Sequence, residues 1–334
     1  MSMQTTKNTT KNTTMSKTSL LALLALCVGG PLLFAQDHYV MSLLVASMVI
    51  GGIALSWALL GNLGGMISFG HAAFFGVGAY TSAVLSMKFG VPVLAALLLG
   101  GVGALVAALA MLPVLRLRGP YFALAILAYA HIFRILATEW TSMTGGSGGL
   151  SSIPPLPTLP GLDLSSKIGA YFVILFIVLV FAVIYARLRE SHYGLALRAM
   201  HESEDATRVV GVNSVVLKGM MLLLSAFMCG VVGAFNAHYI SFLEPDYAFS
   251  ALWVTIPIVA AIFGGYRSIS GPVVGAVVVY LLDQLVFKNI IPSGHQLVLG
   301  VLLVAMIVFS PDGLLPLLRK LFKGKFTRSK HAAT

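Results

Sequence analysis

Charge is scarce in this sequence. Asp, Glu, Lys and Arg make up 10% of its 334 residues, where a soluble domain carries about a quarter, so an ordinary water-soluble globular fold is excluded. Acid is scarcer still, 11 residues against 21 basic ones. An ion-coupled secondary transporter, which needs carboxylates deep in the membrane, is left with Asp283 toward the end of one apolar run. Cysteine is nearly absent. Cys27 and Cys229 lie far apart inside apolar segments, which supports neither a disulfide framework nor a zinc spacing. No Gly-x-x-x-x-Gly-Lys-Ser/Thr phosphate loop occurs, which removes that route to nucleotide hydrolysis in this chain. The histidines His71, His131 and His238 are too scattered to suggest an intramembrane catalytic or metal cluster.

What the chain does have is apolar length. Hydrophobic residues reach 58%, and about 20 of them in a row span a hydrocarbon core as a helix that satisfies its own backbone. Such runs predict an all-α, polytopic membrane bundle of ten spans: 20–34, 40–61, 72–87, 91–114, 120–138, 168–186, 215–240, 248–264, 272–287 and 295–310. The first is read as a retained span and not a cleaved leader, because Leu33 is a poor cleavage-site residue before Ala35. Residues 1–17, rich in Thr, Asn and Lys, are expected to be disordered; residues 18–316 are read as one transmembrane domain and 317–334 as a basic cytoplasmic tail.

The net charge of +10 does not imply nucleic acid, because the basic residues sit between apolar runs and at the two ends. With the N-terminus in the cytoplasm, seventeen of the 21 Lys and Arg fall on the cytoplasmic side, including Arg116, Arg118, Arg187 to Lys218 and Arg267. The positive-inside bias therefore predicts both termini in the cytoplasm. Small residues at helical spacing, such as Ala72, Gly76, Ala79 and Ala83, or Gly100, Ala104 and Ala107, read as helix-packing faces.

Four segments carry candidate function. Gly61 to Tyr80 is too glycine-rich for a continuous helix. It predicts a broken or re-entrant helix, with Ser68, Gly70 and His71 either lining a path or, for His71, packing near the cytoplasmic end. On 120–138, His131 and Arg134 share a helical face with Thr138, pointing to an outer vestibule or to an arginine that snorkels outward. The long outer loop from Glu139 to Lys167 combines flexible glycine with stiff proline, a docking surface or a solvated connector. Finally, Arg187 to Val212 predicts two short amphipathic helices: Ser203 caps, Glu204 and Asp205 sit in the first turn, and Gly211 terminates. Such a lever suits a groove on a cytoplasmic protein or the membrane surface.

Together the stretches Ser68 to Tyr80, Arg118 to Ala125, Thr144 to Ser147, Gly194 to Gly211, Gly264–Gly265 with Gly271–Pro272, and Ser310 to Leu314 resemble the branched-chain amino acid ABC transporter permease family, its LivM-like branch. The resemblance implies a heterodimer with a second, related permease, two cytoplasmic ATPases and an extracytoplasmic solute-binding protein. ATP and magnesium would reside in the partners, and no cofactor in this chain. It also implies that Gly194, Arg198, Glu202, Asp205, Ala206 and Gly211 couple to an ATPase. Ser68, Gly70, His71, His131 and Arg134 are the candidate translocation path. The implied location is a bacterial or archaeal plasma membrane, and the implied cargo branched-chain or other small amino acids, with urea or short amides as the alternative. The sequence departs from the family pattern at Gly65, where members often carry Gln, and around Arg267, near which they often carry Gly.

Overall fold

The computed structural model describes residues 29–314 except 32, 33, 35, 118, 160, 161, 291, 293 and 310–312. The segment 1–17, most of the run 20–34 and the tail 317–334 lie outside the described residues.

Eleven helices of six or more residues organise the described chain. They are α1 (His38–Gly64), α2 (His71–Phe89), α3 (Val93–Ala110), α4 (Pro120–Glu139), α5 (Lys167–Glu190), α6 (His192–Glu202), α7 (Glu204–Val209), α8 (Ser214–Ile240), α9 (Leu252–Gly264), α10 (Gly271–Leu282, prolonged to Ile290 through a π turn) and α11 (His295–Phe309). Seven stretches are long and apolar enough to cross a membrane: α1, α3, α4, α5, α8, Pro245–Gly264 and Gly271–Ile290. α2 is 19 residues long but carries His71, Thr81, Ser82, Ser86 and Lys88, and α11 is shorter. Observed bounds lie within a few residues of the apolar runs. One difference falls after Ala110, where Pro113 diverts the chain into a 3₁₀ turn, Leu112–Arg116, instead of prolonging the helix to 114.

Local chemistry sets the ends. Asp37 caps α1 by accepting the Tyr39 and Val40 amides at 3.0 and 3.2 Å. Gly65, at φ +64°, closes it with its N–H on Leu60 O. α1 is apolar on every side, and 89% of its membrane window is buried against 28% for α4, so α1 is the central post and α4 lies on the rim. Around the post, α2, α3 and α8 meet through glycines. A Cβ on Gly78 would fall on the Gly230 backbone, one on Gly100 on Gly78 O, and one on Gly230 on Ala104, so these three helices approach at backbone distance. The phenylalanines Phe74, Phe75 and Phe235 fill the adjoining core.

Because successive helices alternate in direction, the connections 65–70, 111–119, 191–213 and 265–270 gather at one end, with Arg116, Arg198, Arg208, Lys218 and Arg267. This is the basic end. The connections 90–92, 140–166 and 241–251 gather at the opposite, loop end. There β1 (Leu150–Ser151) pairs antiparallel with β4 (Phe242–Leu243), while β2 (Thr158–Leu159) and β3 (Leu162–Asp163) form a small hairpin.

Candidate functional site

The basic end carries the most constructed feature of the molecule, an elbow of α6 and α7. Ser191 caps α6 by accepting the Gly194 amide at 3.2 Å, and Gly194 lies so close to the carbonyls of Leu188 and Arg189 that no Cβ would fit. Arg198 braces the same corner, its guanidinium donating to Arg189 O at 3.1 Å. Leu197 and Met200 face inward, leaving Tyr193 and Leu195 exposed. Ser203 then ends α6 and caps α7, accepting from Ala206 N at 3.3 Å. After Val210 the chain turns at Gly211, φ +87°, whose amide donates to Arg208 O at 3.0 Å. The caps at Ser203 and Gly211 are those the sequence predicts.

Glu204 ties the elbow to the bundle. Its two carboxylate oxygens accept from Arg208, one turn along α7, and from Lys218, in the first turns of α8, each at 2.8 Å. Arg208 also donates to Ser214 Oγ at 2.9 Å. Burial alone would raise this carboxyl, but the hydrogen bonds from Lys218 and Ser214 and the charges of Lys218 and Arg208 outweigh it and hold the group below the usual carboxylate range. Glu202, Asp205 and Ala206 face outward, beside Val209 and Val210, which are 86% and 77% exposed. An elbow fastened at its base and apolar at its tip can transmit force to whatever grips the tip.

The elbow bears on the break between α1 and α2. A Cβ on Gly65 would lie 2.8 Å from His201 Nδ1, so the last turn of α6 rests on the residue at which α1 stops. From there 65–70 runs without helix into the bundle. Ser68 is buried, its carbonyl accepting from Trp57 Nε1 at 2.9 Å and its hydroxyl from Gly70 N at 3.2 Å. Gly70 has no room for a Cβ because Ile126 of α4 occupies that space. His71 opens α2 with Nε2 2.9 Å from Ser225 Oγ, and Ser225 in turn donates to Ser56 O at 2.9 Å. The serine proton is thus committed to Ser56, so His71 donates through Nε2–H. Ser225 lies about 16 Å along α8 at 1.5 Å per residue, so α2 starts well inside the bundle and the irregular backbone reaches membrane depth.

A cavity of about 580 Å³ joins the two parts, lined by Gly65, Met66 and Phe69 from the break, Leu115 before α4 and Phe122 within it, Glu204 from the elbow and Lys218 from α8. Ser68, Gly70 and His71 are brought together beside this cavity but do not line it, and His71 is fully packed. His131 and Arg134 sit elsewhere: His131 is exposed on α4, and Arg134 reaches Asp246 at 2.7 Å at the loop end. Asp283 is buried in the π turn of α10 and accepts from Gln284 at 3.2 Å.

Three features escaped the sequence reading: the Glu204–Lys218 tie, the seat of His201 on Gly65, and His238. The last bonds Ser82 Oγ at 2.8 Å through Nε2 and Pro154 O at 2.7 Å through Nδ1, clamping the outer loop to α2 and α8. No local pattern announces contacts between residues so distant in the chain. Among the described residues, no three His, Cys, Asp or Glu are placed to hold a metal ion.

The sequence family described as "Branched-chain amino acid transport system / permease component" matches residues 39–307. The chain belongs to this family. Among similar proteins, the permease is 30% identical to the high-affinity branched-chain amino acid transport system permease protein LivM of Salmonella typhimurium, over 94% of this chain and 78% of the relative. It is 24% identical to a probable LivM of the archaeon Methanocaldococcus jannaschii, over 83% and 84%. A LivH permease of Escherichia coli matches at 22% over 79% and 90%. The match spans the break, the elbow and all the helices from α1 nearly to the end of α11, so the two halves of the basic-end site belong to one multi-pass membrane permease.

Proposed function

We propose that this permease imports branched-chain or other small amino acids by alternating access, with the basic end in the cytoplasm and the loop end outside. The placement of Arg116, Arg198, Arg208, Lys218 and Arg267 at one end supports that orientation. In this reading α2, α11 and the run 20–34 also cross the bilayer, giving ten spans with both termini cytoplasmic. A related, LivH-like permease completes the membrane unit; two ATPases grip the elbows; a solute-binding protein meets the loop end and delivers cargo; and ATP with magnesium stays in the partners.

The observation that carries this reading is the elbow: fixed at its base by Arg198 and Glu204, resting on Gly65 through His201, and bare and apolar at Val209 and Val210. Gly194 and Gly211 shape it, and Glu202, Asp205 and Ala206 face the ATPase. When the ATPases close, α6 moves His201 against the end of α1, and the break 65–70 shifts beside the cavity. Ser68, Gly70 and His71 then form the inner part of the path, and His131 and Arg134 the outer part.

Purification of the solubilised permease from its native membrane tests the assignment. The wild type is expected to bring down a second permease and two ATPases, and Glu202→Lys with Asp205→Lys to lose the ATPases while keeping the second permease. Recovery of the wild-type chain alone in several mild detergents would overturn it.

A further inference from the structure

At the loop end, α2, α4 and the short helix Pro245–Ala248 converge on a polar group that the fold leaves incomplete. Tyr80 of α2 is only 6% exposed, its ring stacked on Phe249 at 6.0 Å, and its hydroxyl has no hydrogen-bond partner. Arg134 of α4 gives one terminal nitrogen to Asp246 at 2.7 Å, while its Nε is buried and also without a partner. Glu244 and Asp246 sit at the start of the short helix Pro245–Ala248, which packs against both α2 and α4. Nearby polar groups are satisfied: Tyr247 OH accepts from Asn236 at 2.9 Å and Trp253 Nε1 donates to Tyr247 O at 2.8 Å. Buried donors left unpaired in an otherwise paired region are costly and need an explanation.

We propose that Tyr80, Arg134, Glu244 and Asp246 form the first membrane site for the charged head of the transported amino acid, with Phe249 against its side chain. The proposal deepens the importer reading and rests on it. An α-amino acid carries one carboxylate and one ammonium. The carboxylate takes the guanidinium fork of Arg134 and the Tyr80 hydroxyl; the ammonium takes Asp246 and Glu244. In the present structure the Arg134–Asp246 pair is closed on itself. Entry of a zwitterion replaces one internal ion pair by two, so neither charge is left bare, and the Tyr80 and Arg134 donors gain an acceptor. The unpaired atoms are occluded, so a side chain of a docking protein does not reach them, whereas a small molecule does once the pair parts. Asp246, 80% exposed, is the side from which it parts.

The test uses the whole importer in proteoliposomes, supplied with binding protein loaded with radiolabelled leucine. Tyr80→Phe removes a hydroxyl that holds no partner in the resting fold, so a purely structural role predicts unchanged uptake and equal or higher thermal stability. The site predicts that the maximum uptake rate falls about tenfold, the size of one lost hydrogen bond to a charged group, while the concentration of loaded binding protein at half-maximal uptake stays put. Arg134→Lys, which keeps the charge and the partner Asp246 but loses the planar fork, is expected to behave alike. Full uptake by both variants overturns the site. So does a loss confined to the half-maximal concentration of binding protein, which would make the cluster a protein-docking surface. Wild-type uptake that needed no ATP would instead overturn the importer reading itself.

Discussion

The two ends of the permease are built by opposite means. The elbow at the basic end is held mainly by residues close in sequence: Ser191 caps Gly194, Arg198 reaches back to Arg189, Ser203 caps α7, and Glu204 binds Arg208. At the loop end the ties cross long stretches of chain: His238 to Pro154, Leu150 to Leu243, Lys88 to the Ser142 carbonyl, Arg134 to Asp246. A locally braced element moves as one piece, as a lever must. A surface assembled from distant segments changes shape when the helices beneath it shift, as a gate must.

The sharpest way to break that comparison is at His238. His238→Ala leaves Ser82 and the Pro154 carbonyl without their partner and opens a hole between α2 and α8. We expect a loss of about 3 kcal/mol from the unpaired groups, read as a lowered midpoint of thermal unfolding in detergent, with the outer loop cut by protease first and the elbow still protected.

Next in size is the contact between lever and break. Gly65→Ala places a Cβ against His201 at a left-handed φ of +64°, and should cost about 2 kcal/mol from the two effects together. Adding His201→Ala removes the clash but not the backbone strain. A double-mutant cycle on ATP-driven uptake should therefore show coupling between the two positions, and strict additivity would disconnect the elbow from the break.

Glu204→Gln is smaller, about 1 kcal/mol for a partly exposed pair, and carries a pH signature. The folded carboxyl lies below its unfolded value of about 4.3, so its stabilisation is complete above that value and is lost as pH falls through the folded one. Protease cutting within 195–212 of the wild type should rise in acid below about pH 4, and the Gln variant should be cut more at neutral pH with a flatter profile. Similar in size but more local is Gly211→Ala: nothing lies within 4 Å of the added Cβ, so only the φ of +87° opposes it. About 1 kcal/mol is expected, visible as local amide exchange in α7 with α8 unchanged.

Much of the architecture could be read before the structure. Apolar runs located α1 to α5 and α8 to α11 because a helix in lipid has to be long and apolar whatever its neighbours do, and Ser214–Ile240 differs by one residue from the run 215–240. The elbow was legible because caps act over three or four residues. His71 was not: its sequence left a path residue and a packing residue open, and the fold packs it against Ser225 at the start of a deep-set α2. Arg134 read as a snorkelling or vestibule residue, while its partner Asp246 lies 112 positions on.

Composition and periodicity by themselves determined that this chain is a helical membrane protein, where its helices start and stop, and that a capped elbow interrupts them, because hydrophobic burial and capping depend on residue type and near neighbours. Only the tertiary structure decided that Gly65 lies under His201, that Gly78, Gly100 and Gly230 meet, and that Tyr80 and Arg134 share a corner with unspent hydrogen bonds. Those meetings depend on how helices cross, which is fixed by shape fitted between segments far apart in the chain.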